Sequence, residues 1–229
     1  MSNELILIAF YILVLLYSVI IHEVAHGVVA MWLGDLTAKY AGRFTLNPFR
    51  HLDFFGSFIA PLLMYFSFGF AFGWAKPVPY NPYNLRDQKW GPALVALAGP
   101  GVNLVVALVA ALSARMVDIA LSLKSDIINN FNEWETVSLT IAGSLGAVVY
   151  EILVMIVIVN VFLAFFNLIP IPPLDGSKLL FAIFPIKIET QAVLEQFGFA
   201  LLLIFILFFS GPLTGLLGRA LNAFLNLAI

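Results

Sequence analysis

Two histidines and a glutamate stand together inside the first apolar stretch of the chain, in the sequence His22-Glu23-Val24-Ala25-His26. In a helix, residues four apart lie above one another on the same face, so both imidazoles would point at one ion. HExxH on a helix is typical of zinc proteases, where the histidines bind Zn²⁺ and the glutamate is the general base. The alternative is a structural histidine pair bonded to backbone carbonyls of a neighbouring helix. The apolar surroundings favour the functional interpretation, because a strongly polar group at membrane depth costs on the order of 3 kcal/mol.

The composition is that of a polytopic membrane protein. Of the 229 residues, 62% are hydrophobic and 10% are charged, and the mean hydropathy of +1.02 lies outside the range of soluble domains. The sequence has no cysteine, which excludes disulfides and thiolate metal sites. Any metal must therefore be held by histidine, carboxylate and water. The net charge of -2 is uninformative. Because no basic patch is present, the chain is not expected to bind nucleic acid.

Long apolar runs predict an all-α fold that crosses the membrane several times, within one integral-membrane domain over residues 1–229. About 20 apolar residues at ~1.5 Å each are needed to cross a hydrocarbon core of ~30 Å. The predicted spans are 5–33, 92–123, 137–168, 190–209 and, at the lower limit of length, 213–229.

The region after the first span is predicted to be different in character. Residues 36–53 contain β-type residues and a turn signal at Asn47-Pro48, which indicates one or two short strands. The apolar run 56–72 is short and interrupted by Pro61 and Gly69, so it either spans the membrane or enters and returns on one side. The positive-inside rule favours the re-entrant form, because only then do the cationic loops before and after it share a side.

A catalytic zinc ion takes three protein ligands and keeps one open position, so a third ligand must come from elsewhere. Asp175 is a candidate because it follows a proline-rich break and precedes a glycine that permits close backbone approach. His51, in the polar loop after the first span, and Glu151, inside a predicted span, are the other candidates. Glu151 is also explained by a protonated or hydrogen-bonded carboxyl inside the helix bundle, and His51 by a solvated or turn-stabilising histidine.

Three motifs in order resemble the site-2 protease family of intramembrane zinc metalloproteases. They are the HExxH stretch, Gly99-Pro100-Gly101-Val102-Asn103, and Asn167-Leu168-Ile169-Pro170-Ile171-Pro172-Pro173-Leu174-Asp175-Gly176. The stretches Gly42-Arg43-Phe44-Thr45-Leu46-Asn47-Pro48 and Gly73-Trp74-Ala75-Lys76-Pro77-Val78-Pro79 are similar to the compact prokaryotic branch, which lacks a PDZ domain.

The resemblance implies a three-helix catalytic core in which His22, His26 and Asp175 bind Zn²⁺ and Glu23 is the catalytic base. It also implies that Asn103 holds the substrate strand or the developing oxyanion. The expected activity is hydrolysis of a peptide bond within or near a transmembrane helix, so the expected partners are transmembrane protein substrates and the lipid bilayer. The expected location is the prokaryotic plasma membrane, with the active site towards the cytoplasm.

Two other functions fit parts of the pattern. In an ion or metal transporter, His22, Glu23 and His26 would line a conduction path, and further ionisable residues should be spread along the spans; few are present. In a catalytically inactive scaffold of the same fold, the motif would be expected to have lost members. The complete HExxH sequence together with Asp175 argues against such a loss.

Overall fold

Every regular element that the structure describes is helical, which confirms the all-α class. A computed structural model describes residues 2–68, 75–131, 133, 144–184 and 186–229. The α-helices are α1 (Ser2–Trp32), α2 (Thr37–Tyr40), α3 (Ala60–Phe68), α4 (Gly91–Arg115), α5 (Leu121–Asn129), α6 (Leu145–Asn167), α7 (Gly176–Ile183), α8 (Ile188–Gln196) and α9 (Gly198–Ala228).

Four of the described helices, α1, α4, α6 and α9, are long and apolar enough to cross a membrane. The first predicted span corresponds to α1, and the second corresponds to α4, which ends at Arg115 rather than at residue 123. The predicted third span begins in residues 137–143, which lie outside the described ranges. The predicted spans 190–209 and 213–229 fall largely on α9, in which two helical stretches meet at a kink at Phe209 (φ -116°, ψ 15°) shortly before Pro212. Two separate spans at these positions stay a prediction.

The bundle is built around α4, which packs against α1, α6, α7 and α9. Its inner face carries alanines, and α6 opposes them with larger side chains. Small residues let membrane helices approach closely, so that van der Waals contact replaces the hydrophobic effect that lipid cannot supply. The main buried cluster includes Ala107, Ala110, Ala111 and Ala114 of α4 and Tyr150, Val154, Val157 and Val161 of α6.

The strands predicted between residues 36 and 53 are wrong, since the structure has none in this segment. Its backbone groups are satisfied locally instead: α2 is followed by a turn in which Gly42 has φ +65°, a conformation that favours glycine. The Arg43 N–H then bonds to Ala38 O at 3.0 Å. The Asn47 side chain caps a short 3₁₀ helix at Pro48–Arg50 by accepting a hydrogen bond from the Phe49 N–H.

The apolar run after this loop begins as a π-helix at Phe55–Ile59 and continues as α3. Those 5 and 9 residues together extend about 21 Å, less than a hydrocarbon core of ~30 Å. The last part of the predicted segment, residues 69–72, lies outside the described ranges, and re-entry stays a prediction.

The loops on either side of this run hydrogen-bond to each other. Lys76 N–H donates to His51 O at 2.8 Å, and Arg86 N–H donates to Leu33 O at 2.9 Å. Both loops therefore lie at the same end of the helix bundle, next to the C-terminal end of α1.

Candidate metal centre

The two histidines of α1 are each held through the same ring nitrogen, Nδ1, by an oxygen atom of α4. His22 Nδ1 is 2.7 Å from Asn103 Oδ1, and His26 Nδ1 is 2.7 Å from the backbone oxygen of Val95. A backbone carbonyl can only accept, so Nδ1 of His26 carries the proton. Nδ1 of His22 does the same, because the Asn103 atom that faces it is the amide oxygen Oδ1, which accepts. In a neutral imidazole protonated at Nδ1, Nε2 carries the lone pair that can bind a metal.

Asp175 brings its carboxylate to the two free nitrogens. Its Oδ2 lies 3.0 Å from His22 Nε2 and 3.4 Å from His26 Nε2. The turn that carries it needs a glycine next in sequence, because a Cβ at Gly176 would lie 2.3 Å from Leu168 O. The proline-rich break after α6 thus returns the chain to the histidine face, 153 residues after His22.

Three acceptor atoms that converge in this way repel one another unless a cation or a proton lies between them. Ligand atoms of His22, His26 and Asp175 all lie within 4.8 Å of one another. Two ligands of a tetrahedral zinc ion, each bound at about 2.0–2.1 Å, are about 3.4 Å apart. The residues present therefore fit a zinc ion in both donor type and spacing. The Asp175 side chain is 21% exposed, so the protein does not enclose it completely.

Glu23 follows the first histidine and is held by the backbone of a separate segment. Its Oε2 accepts a hydrogen bond from the Val78 N–H at 2.9 Å. Among the described residues, none donates a hydrogen bond to Oε1. Val78 belongs to residues 75–81, which have no regular secondary structure and which we call the strap. The strap therefore fixes one carboxylate oxygen of Glu23 and leaves the other available.

Asp35 anchors the far end of the strap. Its buried carboxylate accepts hydrogen bonds from Asn81 N–H at 2.7 Å, Asn84 Nδ2 at 2.9 Å and Thr37 N–H at 3.1 Å. Burial alone would raise the pKa of Asp35, but hydrogen bonds from Thr37, Asn84 and Asn81 hold that pKa below its ordinary value. Asp35 thus connects the loop after α1 to the segment that orients Glu23.

Gly99 provides the space in which the two imidazoles lie. A Cβ at this position would be 2.5 Å from Cε1 and Nε2 of His22 and 2.6 Å from Cε1 of His26. Any larger residue would therefore occupy the metal centre. The sequence identified this stretch only through its resemblance to a family motif, whereas the structure gives a steric reason for it.

Asn103 is fully buried and makes two side-chain contacts, one with His22 and one with Asn160. This pairing favours a role in orienting the histidine. Contact of Asn103 with substrate or with a developing oxyanion stays a prediction. Sequence reasoning assigned no role to Asn160 or to Ser18, which extend the network; the available signal was a polar side chain inside an apolar span.

His51 and Glu151 are not brought into this group. His51 is fully buried in the loop after α1, where its Nε2 contacts Thr45 O at 2.8 Å. Glu151 is 1% exposed inside α6, and its Oε2 has no hydrogen-bond partner among the described residues. Within the described ranges, His22, His26 and Asp175 are the one group of such side chains close enough to hold a metal.

Comparisons with known proteins identify the family of the chain. A family model described as Peptidase family M50 matches residues 10–205. A protein named "Putative zinc metalloprotease YwhC" from Bacillus subtilis (strain 168) is 31% identical over 215 residues, which cover 90% of this chain and 83% of that protein. No solved structure gives a significant match.

Proposed function

Since the chain belongs to peptidase family M50 and is a membrane metalloprotease, we propose that it hydrolyses a peptide bond within or near a transmembrane helix of its substrates. The proposed cofactor is zinc. The family match favours proteolysis over the transport of ions. No contact among the described residues specifically supports transport.

One observation carries this proposal: ligand atoms of His22, His26 and Asp175 converge within 4.8 Å of one another. His22, His26 and Asp175 would be the protein ligands, and a fourth position would remain for water or substrate. Zinc supplies Lewis acidity, which lowers the pKa of a bound water to about 7 and polarises a carbonyl.

Glu23 is the proposed general base. It lies beside a ligand on the same helix, and a base must be within hydrogen-bond reach of the proton it removes. With Oε2 held by the Val78 N–H, Oε1 is free to take a proton from the attacking water and later deliver it to the leaving amine. A substrate helix must unwind at the cleaved bond, because its carbonyls are otherwise engaged in internal hydrogen bonds.

The proposed location is the plasma membrane of a prokaryotic cell, with the metal centre towards the cytoplasm. The cationic loops on both sides of α3 lie at the same end of the bundle as the centre, and cationic loops favour the cytoplasmic side. Single cysteines in place of Lys39 and Arg86 should both react with an impermeant thiol reagent from the cytoplasmic side only. Labelling of the two from opposite sides would contradict this topology.

The test of function uses the full-length protein in detergent or nanodiscs with a labelled transmembrane peptide. Glu23→Gln should retain zinc and lose cleavage, because the ligands remain while the base is removed. Glu151→Gln is the matched control: the same substitution in another membrane-spanning helix, outside the centre, should retain both. Wild-type protein that binds no zinc, or Glu23→Gln protein that cleaves normally, would refute the proposal.

A further inference from the structure

Asn160 connects three helices through hydrogen bonds in the buried interior. It lies on α6, is 0% exposed and has apolar neighbours in sequence on both sides. Its Oδ1 accepts from Asn103 Nδ2 of α4 at 2.7 Å. Its Nδ2 donates to Ser18 Oγ of α1 and to Ile156 O of its own helix, both at 2.9 Å.

The direction of this chain of bonds is fixed from one end. Ile156 O is a backbone carbonyl and can only accept, so the nitrogen of the Asn160 amide must face it. Oδ1 of Asn160 then faces Asn103, which must present its own nitrogen in return. The oxygen of Asn103 is left to face His22, where it accepts from Nδ1 at 2.7 Å. The carbonyl of Ile156 thereby determines which nitrogen of His22 remains free for a metal.

These hydrogen bonds, together with the backbone of α1, also form a closed ring. Ser18 and His22 are four residues apart on α1 and therefore share a face. Asn160 contacts the first directly and the second through Asn103. The rotation of α1 about its axis is thus fixed relative to α4 and α6. In a membrane, where helix packing has little hydrophobic driving force, such polar contacts add specificity.

We propose that Asn160 and Ser18 are positioning residues of the metal centre. They fix the orientation of the Asn103 amide and the rotation of α1. His22 is thereby kept in the tautomer protonated at Nδ1, with Nε2 directed at Asp175. This inference rests on the proposed zinc site. Neither residue touches the ligand group itself: each acts on zinc affinity through Asn103 and His22. Loss of an outer partner of this kind typically lowers metal affinity about 10- to 100-fold.

The measurement is the zinc Kd of the purified full-length protein, obtained by competition with a chelator, together with thermal unfolding of the zinc-free form. Asn160→Ala should weaken zinc binding about 10- to 100-fold, and Ser18→Ala should weaken it by less, since one bond of the ring is lost. Ser18→Thr keeps a hydroxyl and should restore wild-type affinity. Ser113→Ala is the matched control, because the hydroxyl of this α4 serine donates to Val109 O of its own helix.

A double-mutant cycle then separates positioning from general loss of stability. If Asn160 acts through Asn103, Asn103→Ala and Asn103→Ala/Asn160→Ala should have nearly equal zinc Kd values, far from additive. Additive losses, or wild-type zinc affinity in both Asn160→Ala and Ser18→Ala, would overturn the inference. If Asn160→Ala does not fold, the Ser18→Ala and Ser18→Thr pair decides. Wild-type protein that binds no zinc would instead refute the proposed function, so the two failures are distinguishable.

Discussion

Alanine at position 99 should damage the metal centre although it is the best helix former. The added Cβ would meet both imidazoles at 2.5–2.6 Å, whereas unstrained carbon atoms are about 3.5–4.0 Å apart. Each ring must therefore move by about 1 Å. Such a shift stretches both Nδ1 hydrogen bonds, each 2.7 Å long, and separates Nε2 from Asp175.

The size of the effect follows from two opposing contributions. Overpacking of a buried site costs about 1–3 kcal/mol. Alanine in place of glycine within a helix stabilises the folded protein by at most about 1 kcal/mol, and that gain is the same with or without zinc. Because the displaced groups are the ligands, the overpacking cost should be expressed mainly as lost zinc affinity. At 1.4 kcal/mol for each factor of ten, Gly99→Ala should weaken zinc binding about 5- to 140-fold.

The assay is chelator competition for zinc, followed by cleavage of the transmembrane peptide at saturating zinc. Gly101→Ala, on the same helix, is the control, since a Cβ there would meet no described residue within 4 Å outside the backbone of its own helix. It should leave the zinc Kd unchanged and leave the thermal stability equal or slightly higher. If Gly99→Ala binds zinc as tightly as Gly101→Ala and cleaves normally, the steric account of the centre is wrong.

Three further predictions concern the groups around the centre. Asp175→Asn should lower zinc content and cleavage together, because a neutral amide is a poorer ligand. Asp118→Asn, in a loop away from the centre, should leave both unchanged. Loss of cleavage with full zinc content would exclude Asp175 as a ligand. Val78→Pro removes the N–H that holds Glu23. It should lower kcat about 10- to 140-fold with zinc content unchanged, since a hydrogen bond to a charged group is worth roughly 1.5–3 kcal/mol. Val78→Ala keeps the N–H and should stay near wild-type kcat, so equal kcat in both variants would count against the strap's role. Asp35→Asn should destabilise the zinc-free protein by about 1–3 kcal/mol at pH 7. The folded-state pKa of Asp35 is lowered, so its contribution to stability is complete above about pH 4 and is lost as pH falls through that lowered pKa. The unfolding temperatures of wild type and variant should therefore converge in acid. A difference that persists there would refute the role of the Asp35 carboxylate as an anchor of the strap.

The sequence by itself determined the properties that depend on local pattern. Apolar length sets where helices can span a membrane, and the first span was predicted to within one residue of its end at Trp32. Helical spacing placed His22 and His26 on one face because four residues are close to one turn. Asp175 was identified as a candidate ligand through its motif and through the exclusion of cysteine, which are also properties of sequence alone.

The contacts that decide the chemistry join residues far apart in the chain, and residue type does not specify them. Asn103 lies 81 positions from His22, and Asn160 lies 142 from Ser18. The group that holds Glu23 is a backbone N–H, which every residue except proline possesses, so no sequence pattern could reveal it. The predicted strands after α1 failed for a related reason: their residue types suit a sheet, but the backbone groups there find closer partners within the loop and in the strap. Local propensity is weak beside such tertiary contacts. Only the folded chain could therefore show which polar groups orient the histidines and which space Gly99 leaves open for the metal.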